Sequence, residues 1–233
     1  MNDFASTPLE TVIVETAANP TCSIIWMHGL GADGHDFEPL VPELAIPGMP
    51  AMRFVFPHAP VRSVTINNGY RMRAWYDIVA IDRRAREDGA GIAASAAQIG
   101  ALIRAENARG IPTNRIAIAG FSQGGAMALH IATRCTEKFA GVIALSCYLP
   151  LAREFATERS AANFTTPIYM AHGTQDPVVP IVLGEESRKI LEATGYRVEW
   201  HAYPMPHSLC EQEVADIREY LGRVLPRDPV RTG

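Results

Sequence analysis

Short apolar runs recur along the chain at spacings typical of buried strands. They occur at residues 22–28, 52–57, 115–119, 140–146 and 167–172. Each is about five to seven residues long, which is too short for a helix that spans a domain. A further segment at 197–203 alternates apolar and polar residues, which predicts a strand near the edge of a sheet.

Between these runs, apolar residues recur every three to four positions, the spacing of an amphipathic helix. This pattern holds from Ile92 to Ile103, from Leu183 to Leu191 and from Val214 to Val224, and residues 126–132 predict a buried helix. Strands that alternate with helices in this way predict an α/β fold, in which a mostly parallel central sheet carries helices on its faces.

Length and composition fit one globular domain. The 233 residues are 48% hydrophobic, without a repeat or linker, so we expect a single domain over 1–233 whose tail at 226–233 frays. A net charge of −4 gives no support for a nucleic-acid surface. No apolar run reaches the roughly 20 residues that span a bilayer.

The chain start and the cysteines bear on location. The first four residues lack the basic and apolar regions of a signal peptide, and the four cysteines are scattered without a Cys-x-x-Cys pair. We therefore expect a cytoplasmic protein with reduced thiols. The sequence leaves open whether it forms a homodimer.

The segment Gly120–Gly124 places a serine between a predicted strand and a predicted helix, in a Gly-x-Ser-x-Gly pattern. A strand that turns directly into a helix holds the central residue in strained backbone geometry with its side chain turned outward. We expect the flanking glycines to prevent Cβ collisions across the turn. Ser122 is therefore the candidate nucleophile.

A serine nucleophile needs a base, and the chain order limits the choice. Where a serine lies on a strand-to-helix turn of this kind, the order along the chain is serine, acid, histidine. Of seven histidines, only His201 and His207 lie late enough. His201 falls within a predicted strand, where a packing role is expected. His207 follows Pro206 in a loop before the last helix and is the predicted base.

The acid should lie on the same edge of the sheet as the serine. Asp176 follows the strand at 167–172 and meets that condition. A turn-forming aspartate before a proline is the alternative. The other candidate for the acid, Asp216, falls on the predicted exposed side of the last helix, where a solvated charge is expected. The order Ser122, Asp176, His207 favours Asp176.

Two backbone N–H groups should stabilise the oxyanion of a hydrolytic intermediate. One is expected from Gln123, directly after the serine, and the other from Leu30 in the glycine-rich loop after the first predicted strand. The same loop matches the Gly-x-Gly-x-x-Gly dinucleotide pattern at Gly29–Gly34. The acidic residue expected about twenty positions later is missing, so we do not expect nucleotide binding.

Several ordered segments carry a resemblance to a known family. They are Met27–Phe37, Arg53–Pro60, Val64–Tyr70, Ala74–Asp77, Gly120–Ala126, His172–Pro180 and Met205–Ser208. Together they resemble the carboxylesterase and acyl-protein thioesterase family of α/β-hydrolases, also called the phospholipase/carboxylesterase family. The resemblance implies the α/β-hydrolase fold, a Ser122–Asp176–His207 triad, an oxyanion hole from Leu30 and Gln123, and no cofactor or metal. A proline at position 206 is more similar to bacterial esterases than to eukaryotic thioesterases, so the resemblance favours substrates other than palmitoylated proteins.

The substrate site should be an open groove. About twenty residues separate the strands that end near Ser146 and begin near Pro167, too few for a folded lid. Apolar residues near the motif ends are expected to line the groove, with a core position as the alternative for the tryptophan: Leu30, Met72, Trp75, Val178, Val179 and Met205.

These features predict a serine carboxylesterase that hydrolyses small acyl esters of short to medium chain length through an acyl-enzyme on Ser122. Acyl-protein thioesterase or lysophospholipase activity with the same triad is the alternative. A non-catalytic binding protein on the same fold is a more distant alternative, which the complete triad argues against.

Overall fold

A seven-stranded sheet forms the centre of the molecule, with a separate two-stranded hairpin beside it. The structure is a computed structural model that describes residues 8–45, 48–81 and 87–226. In chain order the strands are β1 Thr11–Glu15, β2 Cys22–Met27, β3 Met52–Pro57, β4 Val61–Val64, β5 Tyr70–Arg73, β6 Ile116–Phe121, β7 Gly141–Leu145, β8 Ile168–Gly173 and β9 Val198–Tyr203.

The strand order of the large sheet is β1-β3-β2-β6-β7-β8-β9. Strand β1 runs antiparallel to β3, and every other neighbouring pair is parallel. The prediction of a mostly parallel sheet is therefore confirmed. The sequence pattern did not reveal β1, because this half-buried edge strand has an apolar run of only three residues, Val12–Val14.

Helices cover both faces of the sheet, as predicted. They are α1 Val41–Leu44, α2 Gly89–Ala108, α3 Gln123–Arg134, α4 Phe155–Glu158, α5 Ile181–Ala193 and α6 Glu211–Val224. One apolar core joins α2, α3 and α5 to one face of the sheet, and a second joins α1 and α6 to the other. Neighbouring residues of one strand, such as Ile24 and Ile25, belong to opposite cores, because side chains alternate along a strand.

The hairpin of β4 and β5 was not predicted. Its strands pair from Val61↔Arg73 to Val64↔Tyr70, and most of its residues are exposed. Its tip contains Asn68 and Gly69, both with positive φ, a conformation that favours these residue types. The hairpin matters for the site because the chain leaves it directly into Trp75, which packs behind the loop after β2.

The connection from β7 to β8 bears on access to the site. It holds only α4 and a three-residue 3-10 turn at Ala161–Asn163, so these described residues form no lid, as predicted. Within the part of the chain that the structure describes, no helix is both long and apolar enough to cross a membrane. The tail expected to fray lies, from residue 227 on, outside the described residues.

Candidate active site

Ser122 lies at the turn between β6 and α3 with φ 54° and ψ −119°, a conformation that residues with a side chain rarely adopt. Its N–H donates to the Leu145 carbonyl at 2.8 Å, which ties the turn to β7. A Cβ on Gly120 would overlap the backbone of Gly124, as expected for collisions across the turn. Gly124 has a different role, because a Cβ there would overlap the Met27 carbonyl at the end of β2.

Asp176 and His207 are joined by a hydrogen bond of 2.6 Å between Oδ2 and Nδ1. The Asp176 side chain is fully buried, and its other oxygen accepts from the backbone N–H groups of Val178 and Val179 at 2.8 and 2.9 Å. Since a carboxylate only accepts, His207 donates through Nδ1–H, and its Nε2 is the nitrogen left for proton transfer. This is the arrangement that a base with a fixed tautomer requires.

The loops that carry these two residues are bound to each other. The N–H of Thr174 donates to the Tyr203 carbonyl at 2.8 Å, and that of Gln175 donates to the Met205 carbonyl at 3.1 Å. A Cβ on Gly173 would overlap the carbonyl oxygens of Met205 and Pro206, so only glycine permits this approach. The short loops after β8 and β9 therefore form one unit.

The imidazole of His207 lies beside the serine turn. Its ring centroid is 4.7 Å from that of Phe121, the residue before Ser122, and its side chain is 15% exposed. Within the described residues the Ser122 hydroxyl makes no hydrogen bond. Hydrogen bonds between catalytic groups are often long in the absence of substrate. The contact with Phe121 therefore serves to locate the His207 ring beside the turn that carries Ser122.

A second histidine, His172, also faces Asp176, a contact that the sequence analysis did not predict. Its Nε2 donates to the Val179 carbonyl at 2.8 Å and lies 3.5 Å from Asp176 Oδ2. Burial lowers the pKa of this imidazole, so the ring stays neutral beside the carboxylate. His172 thus packs against the Asp176 carboxylate, and its own ring is buried.

The loop after β2 runs alongside the serine. A Cβ on Gly29 would lie 3.5 Å from Ser122 Cβ, so the peptide that joins Gly29 to Leu30 is next to Ser122. Among the described residues, no group accepts a hydrogen bond from the N–H of Leu30 or from that of Gln123, the first residue of α3. The first N–H groups of a helix have no intrahelical partner and favour negative charge.

The Gln123 side chain has a second part in the site, which the sequence did not indicate. Its Oε1 accepts from the Trp75 N–H at 2.8 Å, and its Nε2 donates to the Tyr76 carbonyl at 2.7 Å. The indole N–H of Trp75 in turn donates to the His28 carbonyl at 2.9 Å. A buried chain of hydrogen bonds therefore links the serine turn, the segment after the hairpin and the loop after β2.

Burial argues against the predicted groove lining at three of its six members. Three of its members, Trp75, Val179 and Met205, are buried at 0%, 3% and 5% exposure and therefore pack behind the surface. For Trp75, the core alternative is the correct one, because its indole N–H is used internally. Of the other three, Leu30 and Met72 are half-buried and Val178 is exposed.

The rejected candidates have structural partners instead. His201 stacks on Tyr169 with ring centroids 4.8 Å apart, which is the packing role expected of it. Asp216 was expected to be a solvated charge, but it is half-buried and accepts from the Tyr203 hydroxyl at 2.6 Å. Both belong to the cluster between β9 and α6.

Two glycines of the glycine-rich loop donate their N–H groups to other parts of the protein. The N–H of Gly31 donates to the Arg73 carbonyl at 2.9 Å and that of Gly34 to His58 Nδ1 at 3.0 Å. A Cβ on Gly34 would overlap the Phe56 carbonyl, so this glycine serves packing against β3. Across the described ranges, no group of three or more His, Cys, Asp and Glu is arranged to hold a metal ion.

The chain is similar to several acyl-protein thioesterases over most of its length. The acyl-protein thioesterase 1 of Neurospora crassa is 42% identical over 225 residues, which cover 93% of this chain and 92% of that protein. The acyl-protein thioesterase 1 of Mycosarcoma maydis is 37% identical and covers 94% of this chain and 98% of its own length. The crystal structure of Zea mays acyl-protein thioesterase 2 superposes with a TM-score of 0.84 at 28% identity, over 94% of this chain and 100% of that one.

The match at the level of the family spans most of the chain. Residues 9–225 match the phospholipase/carboxylesterase family of α/β-hydrolases. This span includes both sheet edges, all nine strands described above and every residue of the candidate site. The chain belongs to the phospholipase/carboxylesterase family and has the α/β-hydrolase fold.

Proposed function

We propose that this protein is a serine hydrolase that removes acyl groups from thioesters of acylated proteins, with Ser122 as the nucleophile. The observation that carries the proposal is the 2.6 Å hydrogen bond between buried Asp176 and His207, whose ring packs 4.7 Å from the residue before Ser122. The names of the relatives favour thioesters over the short esters expected from the sequence. They also run against the substrate preference suggested by Pro206.

The proposed reaction begins when Ser122 Oγ attacks the carbonyl carbon and its proton passes to His207 Nε2. Asp176 stabilises the imidazolium and keeps the ring oriented. The negative charge that develops on the carbonyl oxygen accepts hydrogen bonds from the N–H groups of Leu30 and Gln123. Each such donor contributes about 3 kcal/mol to the stability of the transition state in enzymes of this type.

The tetrahedral intermediate collapses as the bond to sulfur breaks, and the leaving thiolate takes the proton from His207. Water then attacks the acyl ester on Ser122 and gives its proton to the same imidazole. Breakdown of this second intermediate releases a carboxylic acid and restores the serine hydroxyl. An oxygen ester would follow the same steps with an alcohol as leaving group, so small acyl esters are expected as alternative substrates.

A substrate panel tests the proposal. Peptides with an S-acylated cysteine carrying butanoyl, octanoyl or hexadecanoyl groups would be compared with p-nitrophenyl esters of the same chains, and with lysophosphatidylcholine. We expect kcat/KM for the S-acyl peptides to rise with chain length. A maximum at butanoyl, with no turnover of the hexadecanoyl peptide, would favour the short-ester enzyme instead. Labelling by a fluorophosphonate probe would exclude a non-catalytic binding protein. The cytoplasmic location and the single domain expected from the sequence stay predictions.

A further inference from the structure

The peptide unit between Gly29 and Leu30 has two ends with different partners. Its carbonyl belongs to Gly29 and its N–H to Leu30, and a trans peptide is planar, so the two bonds point in opposite directions. Whatever fixes the Gly29 carbonyl therefore also sets the direction of the Leu30 N–H. That N–H is the oxyanion donor in the proposed function, on which this inference rests.

The Gly29 carbonyl is held chiefly by the side chain of the preceding residue. His28 Nδ1 lies 2.6 Å from this oxygen, while the N–H of Ala32 donates to it from a longer 3.3 Å. Because a carbonyl oxygen only accepts, the imidazole must carry a hydrogen on Nδ1 to make this bond. The orientation of the peptide thus depends on the tautomer of His28.

That tautomer is fixed from the other side of the ring. The N–H of Ala59 donates to His28 Nε2 at 3.0 Å, so Nε2 must be the unprotonated nitrogen. Burial lowers the pKa of His28 to about 4, so the ring is neutral at the pH of the cell interior. A neutral ring with an acceptor at Nε2 carries its one hydrogen on Nδ1.

The ring is also held in place. His28 is 2% exposed and packs against Trp75 with ring centroids 5.2 Å apart, while its own carbonyl accepts from the Trp75 indole. Arg73 Nη1 donates to the Ala59 carbonyl at 3.0 Å, which anchors the residue whose N–H holds Nε2.

We infer that His28 is a positioning residue of the oxyanion hole: its Nδ1–H holds the Gly29 carbonyl and so aims the Leu30 N–H at the substrate oxygen beside Ser122. Its contribution appears in the transition state, where the oxygen becomes an anion. Ground-state binding of the substrate should change little.

Two substitutions separate the two nitrogens of the ring. The amide of asparagine matches the position of Nδ1, so His28→Asn keeps the donor to Gly29 and loses the acceptor for Ala59. Glutamine reaches the position of Nε2, so His28→Gln keeps that acceptor and loses the donor. We expect kcat of His28→Gln to fall at least about tenfold below that of His28→Asn, with KM of both within about threefold of wild type.

A transition-state analogue supplies the readout that a merely structural role would not move. An alkyl trifluoromethyl ketone forms a tetrahedral adduct on the serine whose oxyanion occupies the same place. Its inhibition constant should rise in proportion to the fall in kcat/KM across wild type, His28→Asn and His28→Gln. Equal kcat in the two variants at matched melting temperatures, or an inhibition constant unchanged in His28→Gln, would overturn the inference.

Wild-type protein decides the matter if the variants do not fold. In ¹⁵N-histidine-labelled protein, a long-range ¹H–¹⁵N spectrum assigned through the backbone should show His28 protonated at Nδ1, and protonation at Nε2 would overturn the inference. Failure of the proposed function would look different: Ser122→Ala would keep full activity, or wild type would resist a fluorophosphonate probe.

Discussion

The candidate site has two halves that are built by different means. On the side of Asp176 and His207, the reacting groups are side chains, and short loops after β8 and β9 present them at the sheet edge. On the side of the loop after β2, the proposed donors are backbone N–H groups. Buried side chains, His28, Trp75 and Gln123, hold them in place through hydrogen bonds of 2.6 to 3.0 Å.

The two halves differ in what sets the orientation of the reacting groups. A side chain on a loop needs one partner and one packing surface, which Asp176 and Phe121 supply to His207. A backbone donor has no rotamer of its own, so its direction is set by every group that holds the surrounding peptides. We therefore expect large, local effects from substitutions in the acid–base half and smaller, distributed effects in the oxyanion half.

The largest expected effect is that of Ser122→Ala, which removes the proposed nucleophile that both halves serve. We expect kcat to fall by at least about a thousandfold, because the remaining site can only assist attack by water. Hydrolysis of p-nitrophenyl octanoate measures it, and Ser160→Ala, a serine that caps the turn at Ala161–Asn163, is the matched control. Unchanged turnover in Ser122→Ala would refute the assignment.

Within the acid–base half, Asp176→Asn should reduce kcat by about 10³- to 10⁴-fold. The amide keeps an oxygen for Val178 and Val179 but no longer fixes the His207 tautomer. Asp216→Asn is the control, since that carboxylate accepts from Tyr203 and belongs to the cluster at α6. The same assay, with circular dichroism as a check on folding, compares them. Similar losses in both variants would contradict the role of Asp176.

Two buried groups, one in α6 and one in the oxyanion half, have pKa values that burial shifts in opposite directions. Burial, with a smaller contribution from Asp216, raises the pKa of Glu213 in the first turn of α6 to about 8, whereas burial lowers that of His28 to about 4. Folded protein therefore keeps the proton on Glu213 over a range in which the unfolded chain, with an ordinary pKa of 4.5, has released it. Since the folded state binds more protons there, the free energy of unfolding falls as pH rises from 4.5 to 8.

Glu213→Gln should remove that fall, because glutamine does not titrate. Between pH 5.5 and 8, we expect the free energy of unfolding of wild type to drop by roughly 2 to 4 kcal/mol more than that of the variant. Urea denaturation at both pH values measures this difference. Glu219→Gln, an exposed glutamate of the same helix, should keep the wild-type slope. Parallel slopes in wild type and Glu213→Gln would show that Glu213 is ionised throughout.

The smallest expected effect is that of Trp75→Phe, which tests how much one hydrogen bond contributes to positioning the proposed backbone donors. Trp75→Phe removes the indole N–H that binds the His28 carbonyl, and should lower kcat about three- to tenfold and the free energy of unfolding by about 1 kcal/mol beyond lost packing. Trp26→Phe is a close control, since the buried Trp26 indole N–H has no hydrogen-bond partner among the described residues. A drop in kcat of the same size in both variants would indicate a general packing effect.

The contact between Asp176 and His207 could be predicted from the sequence for a physical reason. Ser122, Asp176 and His207 each follow a strand, and the carboxyl ends of parallel strands meet at one edge of the sheet, so motif order was enough to bring the last two together. The alternation of apolar residues likewise predicted the sheet and both helical layers. The exposed hairpin and the edge strand β1 were not predicted, because neither has an apolar face large enough to form a recognisable pattern.

The oxyanion half could be predicted only in outline. The loop after β2 could be recognised by its glycines. The hydrogen bond from the Trp75 N–H to Gln123, however, joins residues 48 positions apart, and no local sequence pattern predicts it. The same contact explains why Trp75 was wrongly assigned to the groove: an aromatic residue near a motif is equally suited to wall or core. Burial against a specific backbone carbonyl decides between these positions, and that is a tertiary property.

The φ of 54° at Ser122 has a consequence for the survival of inactive variants. Glycine adopts this conformation without the Cβ penalty, so Ser122→Gly would relieve on the order of 1 kcal/mol of backbone strain while abolishing the nucleophile. Protein quality control responds to unfolding and not to missing chemistry. We therefore expect a cell carrying that allele to accumulate the inactive protein at normal or higher abundance.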